Sequence, residues 1–85
     1  MGIIKYYEDV DDKTLLAHER ESEFFVMFNA KRGEWVDSAI SFSAFMHERY
    51  FREVTEEEAR RVTEGVMPDA AYKAYIDMLA HNSGN

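Results

Sequence analysis

Hydrophobic and polar positions are most sharply ordered between Glu23 and Asp37, Glu-Phe-Phe-Val-Met-Phe-Asn-Ala-Lys-Arg-Gly-Glu-Trp-Val-Asp, a stretch that holds the single Trp and three of the six Phe. Side chains alternate across a strand, so Phe24, Val26 and Phe28 share one face and Phe25 and Met27 the other. Both faces are apolar, and both therefore need a cover. Asn29 to Gly33 supplies the turn residues that end the run, which makes the stretch a β-hairpin with its second arm over about 34–37.

Towards the N-terminus, Ile3 to Tyr7 reads as a first strand, broken at Glu8-Asp9-Val10-Asp11-Asp12 by four carboxylates suited to a solvated turn. Lys13 to Arg20 fits two patterns. Leu15, Leu16 and Ala17 are good helix formers, while Thr14, Leu16 and His18 alternate as a strand would. Flanked by two strand-like runs and short polar connections, the segment is most simply the middle strand of a meander.

Beyond the hairpin the period lengthens. Phe42, Phe45, Met46 and Tyr50 recur at helical spacing, with Ser38 or Ser41 placed to cap the start. Thr55-Glu56-Glu57-Glu58 is a capping-box pattern whose glutamates sit where a helix dipole favours negative charge. Gly65 reads as the left-handed residue that stops this helix. Pro68 is admissible in the first turn of a third helix, whose apolar face carries Tyr72, Tyr75, Ile76 and Leu79, before a polar, frayed tail over 81–85. The pattern predicts one small α+β domain spanning the chain. It is a three- or four-stranded antiparallel meander, at about 2–8, 14–20, 23–29 and 34–37, packed with three helices at about 39–53, 56–64 and 68–80.

Several of these runs resemble a group of small bacterial proteins of unassigned function. The similar stretches are Lys5-Tyr6-Tyr7, Thr14-Leu15-Leu16-Ala17-His18, Glu23 to Asn29, the Gly33-Glu34-Trp35-Val36 hairpin arm and the Thr55-Glu56-Glu57-Glu58-Ala59 helix start. The resemblance implies the strand meander and assigns no site.

Composition narrows the function. Eighty-five residues bury only about 60 to 65% of the unfolded surface, and stability is expected at roughly 4 to 13 kcal/mol. The chain has no cysteine, which removes disulfides, thiolate metal sites and cysteine nucleophiles together. No apolar run reaches the roughly 20 residues of a membrane span and no signal-like h-region is visible, so a cytoplasmic, non-membrane protein is expected. A formal charge of −7 argues against nucleic acid as partner.

Candidate chemistry is sparse. An EF-hand loop beginning at Asp9 would need Gly at position 14 and Glu at position 20, where the chain has Thr14 and Arg20. His47-Glu48 starts a zinc-peptidase pattern whose second His would fall at Phe51. His18-Glu19-Arg20 recurs as His47-Glu48-Arg49 on a different predicted element, and no internal repeat is read from it. Neither an enzyme nor a cofactor or metal is expected. The sequence points to a protein-interaction module, self-associating through Phe25 and Met27 or engaging a partner near Trp35. The alternative is an acidic phage- or island-encoded inhibitor that would present Asp9, Asp11 and Asp12 to a basic site on a nucleic-acid enzyme.

Overall fold

A four-stranded meander leaves the outer edge of its first strand unpaired, and this chain fills that edge from far along the sequence. In the computed structural model, which describes residues 2–38 and 40–83, β1 (Ile4–Asp9), β2 (Leu15–Glu19), β3 (Phe24–Asn29) and β4 (Glu34–Asp37) run in antiparallel succession. A fifth strand, β5 (Phe51–Val54), pairs antiparallel with β1, placing Tyr6 opposite Val54 and Asp9 opposite Phe51. The order is β4-β3-β2-β1-β5. With α1 (Phe42–Glu48), α2 (Glu56–Val62) and α3 (Asp69–Ser83) the fold is α+β.

β5 departs from the single helix expected over about 39–53. The helix keeps only its first two turns, with Ser41 as N-cap accepting from the Ala44 N–H at 3.2 Å and Arg49 extended at its C-terminus. Ala39 lies outside the described residues. Pairing with β1 satisfies backbone groups that an extended helix would have left bare on the sheet edge, and this outweighs the helical spacing of Tyr50.

The three hairpin loops share one design at ten-residue intervals. Asp9, Glu19 and Asn29 each close a strand, and each side chain accepts from N–H groups of the loop that follows: Asp11 and Asp12, Glu21 and Ser22, and Arg32. Four residues on, the chain turns left-handed at Lys13, Glu23 and Gly33, with φ of 65°, 62° and 65°. A side-chain oxygen thus holds each turn in the geometry that an αL residue completes. The sequence does carry a short structural repeat, in its turns.

Both helices after β5 are defined by their ends. Thr55 Oγ1 accepts from the Glu58 N–H at 3.0 Å, while the Glu58 carboxylate sits 3.7 Å from Arg52 rather than folding back on Thr55. α2 ends in a Schellman arrangement, with the Gly65 N–H bonded to Arg60 O and the Glu64 N–H to Arg61 O. The left-handed C′ residue is therefore Glu64, at φ 55°, one position before the Gly65 that the sequence suggests; Gly65 also has positive φ, 89°. α3 opens behind buried Pro68, whose carbonyl accepts from the Tyr72 N–H, and runs through His81 to Ser83. Residues 84 and 85 of the expected tail lie outside the described residues.

Each face of the sheet has its own core. Phe24 and Val26 join Tyr6, Leu15, Ala17, Val54, Ala59 and Tyr72 on the side of α2 and α3. Phe25 joins Leu16 and Phe45 on the side of α1, with Tyr7, Met27, Phe42 and Phe51 partly buried against them.

Candidate functional site

The residues singled out from sequence do not gather into one site. Phe25 is 9% exposed and lies under α1, its ring 5.7 Å from Phe45 and 5.3 Å from Phe42. Met27 shares that face and is half-buried. Trp35 belongs to the opposite face, where its ring packs on Phe28 and its Nε1–H donates to Val66 O at 2.8 Å, clipping β4 to the loop between α2 and α3.

The carboxylates of the β1–β2 turn are largely engaged. Asp9 is 0% exposed: Oδ1 accepts from the turn N–H groups and Oδ2 lies 3.3 Å from Arg49 Nη1. The same Arg49 nitrogen is 3.1 Å from Asp12 Oδ2. Hydrogen bonds from Thr14, with Arg49 adding its charge, hold the Asp12 carboxyl below its ordinary value. Only Asp11 is left facing solvent without such an engagement among the described residues.

A second carboxylate is buried with no ion-pair partner among the described residues. Glu19, 2% exposed, accepts from the Ser22 hydroxyl at 2.7 Å and the Tyr72 hydroxyl at 2.9 Å in addition to two loop N–H groups. Burial alone would raise its pKa, but the Ser22, Glu21 and Tyr72 donors outweigh it and bring the pKa down to about 2. A side chain at position 2 would run into this carboxylate, so Gly2 is what lets the N-terminal segment pass. Tyr75 adds a parallel tether, its hydroxyl donating to Ser22 O at 2.8 Å. Together these bonds fasten α3 to the β2–β3 turn, and Phe24 packs against both tyrosine rings.

α3 is fastened at the β2–β3 turn, and its Asp69, Tyr72, Lys73, Ile76 and Asp77 face β1 and β5 across an opening. Between them lies a cleft of about 790 Å³, within the range of roughly 300 to 1,000 Å³ usual for ligand sites. Ile4, Tyr6, Val54, Tyr72 and Ile76 contribute its apolar surface, and Ile3, 80% exposed, stands at its mouth. Charged groups ring it: Glu53, Glu56, Asp69 and Asp77 against Lys5 and Lys73. Tyr6 is 4% exposed as a residue, yet no buried polar side-chain atom among the described residues lacks a partner, so its hydroxyl, bonded to none of them, is open to the cleft. Burial first, then the carboxylates of Asp69 and Glu56, push its pKa up to about 12, with Arg60 opposing, so the phenol stays neutral. The cleft holds apolar surface, the neutral Tyr6 hydroxyl and a surplus of carboxylates, an arrangement for binding.

The sequence puts Tyr72 and Ile76 on the apolar face of the third helix and Tyr6 on the first strand, and periodicity alone does not show that they border one space. Tyr6 and Val54 are 48 positions apart and meet only because β5 pairs with β1. Comparison with known proteins finds no matching family model, no similar curated protein and no similar solved structure.

Proposed function

We propose that this chain is a protein-interaction module that receives a segment of a partner in the cleft between α3 and the β1–β5 edge. The observation that carries the reading is the way α3 is held. Two tyrosine hydroxyl bonds and two ring contacts with Phe24 fix it at the β2–β3 turn, and apolar surface on β1, β5 and α3 is left facing an opening rather than a neighbour. The residues first considered for self-association support it less, since Phe25 would reach a second copy only if α1 left the sheet. An inhibitor presenting Asp9, Asp11 and Asp12 has less support too, because Arg49 already occupies Asp9 and Asp12. No helix among the described residues is long and apolar enough to cross a membrane. With no cysteine in the sequence, work in a reducing cytosol suits the chain.

A photo-crosslinking amino acid placed at Ile76, which lines the cleft, should give a discrete adduct with another protein in the cells that encode this chain. The same group at Met46, exposed on α1, should not. Identical adduct patterns from both positions, or adducts with itself alone, would overturn the reading.

A further inference from the structure

The polar features of the cleft restrict what can enter it. Tyr6 brings a hydroxyl to its inner wall from a side chain that is otherwise sealed, and that hydroxyl is unpartnered among the described residues. No buried polar side-chain atom among the described residues lacks a partner, so this hydroxyl is open to the cleft, within reach of a group that enters it. Glu56 at the start of α2 and Asp69 at the start of α3 lie close enough to Tyr6 to act on it electrostatically. Glu53 and Asp77 also line the cleft, and carboxylates outnumber ammonium groups there two to one. Glu53, Asp69 and Asp77 have no ion-pair partner among the described residues, while Glu56 is 3.6 Å from Arg60 in an exposed pair. An anionic head would be repelled here; a cationic one is favoured.

We infer, resting on the interaction reading above, that the segment received by the cleft inserts a lysine, its methylene stem lying along Ile4, Val54 and Ile76 and its ammonium meeting the Tyr6 hydroxyl between Glu56 and Asp69. Lysine fits better than arginine for a geometric reason. An ammonium directs three donors to separate acceptors, and the cleft offers a phenol oxygen and two carboxylates on different helices. A guanidinium is planar and pairs best with one carboxylate approached edge-on. The apolar lining matches the long stem, which a lysine buries while its charge stays at the polar end.

The test is an NMR titration of the whole ¹⁵N-labelled chain with the peptide acetyl-Leu-Ala-Lys-Ala-Leu-amide and with versions carrying norleucine or arginine at the centre. The lysine peptide should shift the amides of Tyr6, Val54 and Tyr72, bind about tenfold more tightly than the norleucine peptide, and weaken as salt is raised. Tyr6→Phe should weaken it severalfold while melting no lower than the parent, since the hydroxyl makes no internal bond. Should Tyr6→Phe fold poorly, the Glu56→Gln, Asp69→Asn double variant carries the same expectation of lost binding. Equal binding by the norleucine peptide would overturn the lysine assignment and leave the cleft as an apolar docking site; equal binding by the arginine peptide would overturn the choice of cation. If no peptide moves the cleft amides, the lysine inference fails, and crosslinking at Ile76 still decides separately whether the cleft is an interface.

Discussion

The two faces of the sheet carry similar aromatic content and are covered in opposite ways. Under α1, rings seal the surface directly: Phe42 stacks on His18 at 3.8 Å and 9°, Phe25 meets Phe42 and Phe45, and Tyr7 packs edge-on against Phe51. Under α2 and α3 the aromatic groups also hold the helices by their polar ends. Tyr72 reaches Glu19, Tyr75 reaches Ser22 and Trp35 reaches Val66. Apolar packing is non-directional and closes wherever surface is available. Hydrogen bonds are fixed points, and two along α3, with a third on the loop before it, set where the helix lies on the sheet. The first arrangement makes core alone, and the second makes a core with a cleft beside it.

The sharpest way to break this contrast is to open the sealed face. Phe45→Ala removes the buried anchor of α1 and should cost about 3 to 5 kcal/mol, enough to approach the expected stability of the whole chain. Chemical denaturation measures it. A loss within a few tenths of a kcal/mol would mean that α1 is an ornament on a sheet stable without it.

Removing a tether should do less, and in a pH-dependent way. Glu19→Gln keeps the shape but weakens charge-assisted bonds, with an expected loss of roughly 2 kcal/mol near neutrality. The folded pKa of about 2 lies below the ordinary 4.5, so the parent holds this contribution above pH 4.5 and loses it as pH falls towards 2. Melting temperatures taken across that window should drop less steeply in Glu19→Gln than in the parent. Parallel curves would remove Glu19 from the acid response.

Helix ends offer a smaller, two-signed test on the open side. Thr55→Ala should cost about 1 kcal/mol because the Glu58 N–H loses its acceptor. Glu64→Gly should stabilise by up to about 1 kcal/mol, since a left-handed C′ position carries a Cβ penalty that glycine lacks. Gly65→Ala should destabilise for the same reason, with φ of 89° and no steric clash to confuse the result.

The smallest effect is expected at His18. Burial under Phe42 lowers its pKa below 6.5, opposed by Glu19 and Glu23, so the folded state favours the neutral ring. Stability should therefore decline as pH falls below 6.5, and His18→Leu should flatten that part of the profile. An unchanged profile would assign the decline to other groups.

What the sequence disclosed follows from range. The alternation of Phe24 to Phe28, the β4 arm over 34–37 and the Thr55 cap are set by neighbours within a few residues, and all three appear in the fold. β5 was hidden because Phe51 to Val54 follows a true helix and is made a strand only by the vacancy beside β1. The cleft was hidden for a related reason: periodicity shows which face of α3 is apolar but not where along the sheet Tyr72 and Tyr75 will pin it. The turn repeat, by contrast, is readable in the sequence. Asp9, Glu19 and Asn29, each an oxygen-bearing side chain ten residues after the last, stand at the ends of apolar runs.

That ten-residue rhythm also sets an order in time. Each of the three turns closes a loop of a few residues, an event on the microsecond scale, so the meander from β1 to β4 can assemble by local steps. β5 has no such short route: its residue Phe51 must find Asp9 across 42 positions, and the entropy of closing that loop is met only when the pairing forms. The β1–β5 edge is thus expected to join late, and with it one wall of the cleft. Weakening β5 should then quicken unfolding while leaving the folding rate nearly unchanged, whereas weakening the turns at Asp9 or Asn29 should slow folding itself. A wall that forms last is also positioned to loosen first, which would let the space beside α3 widen while the meander stays intact.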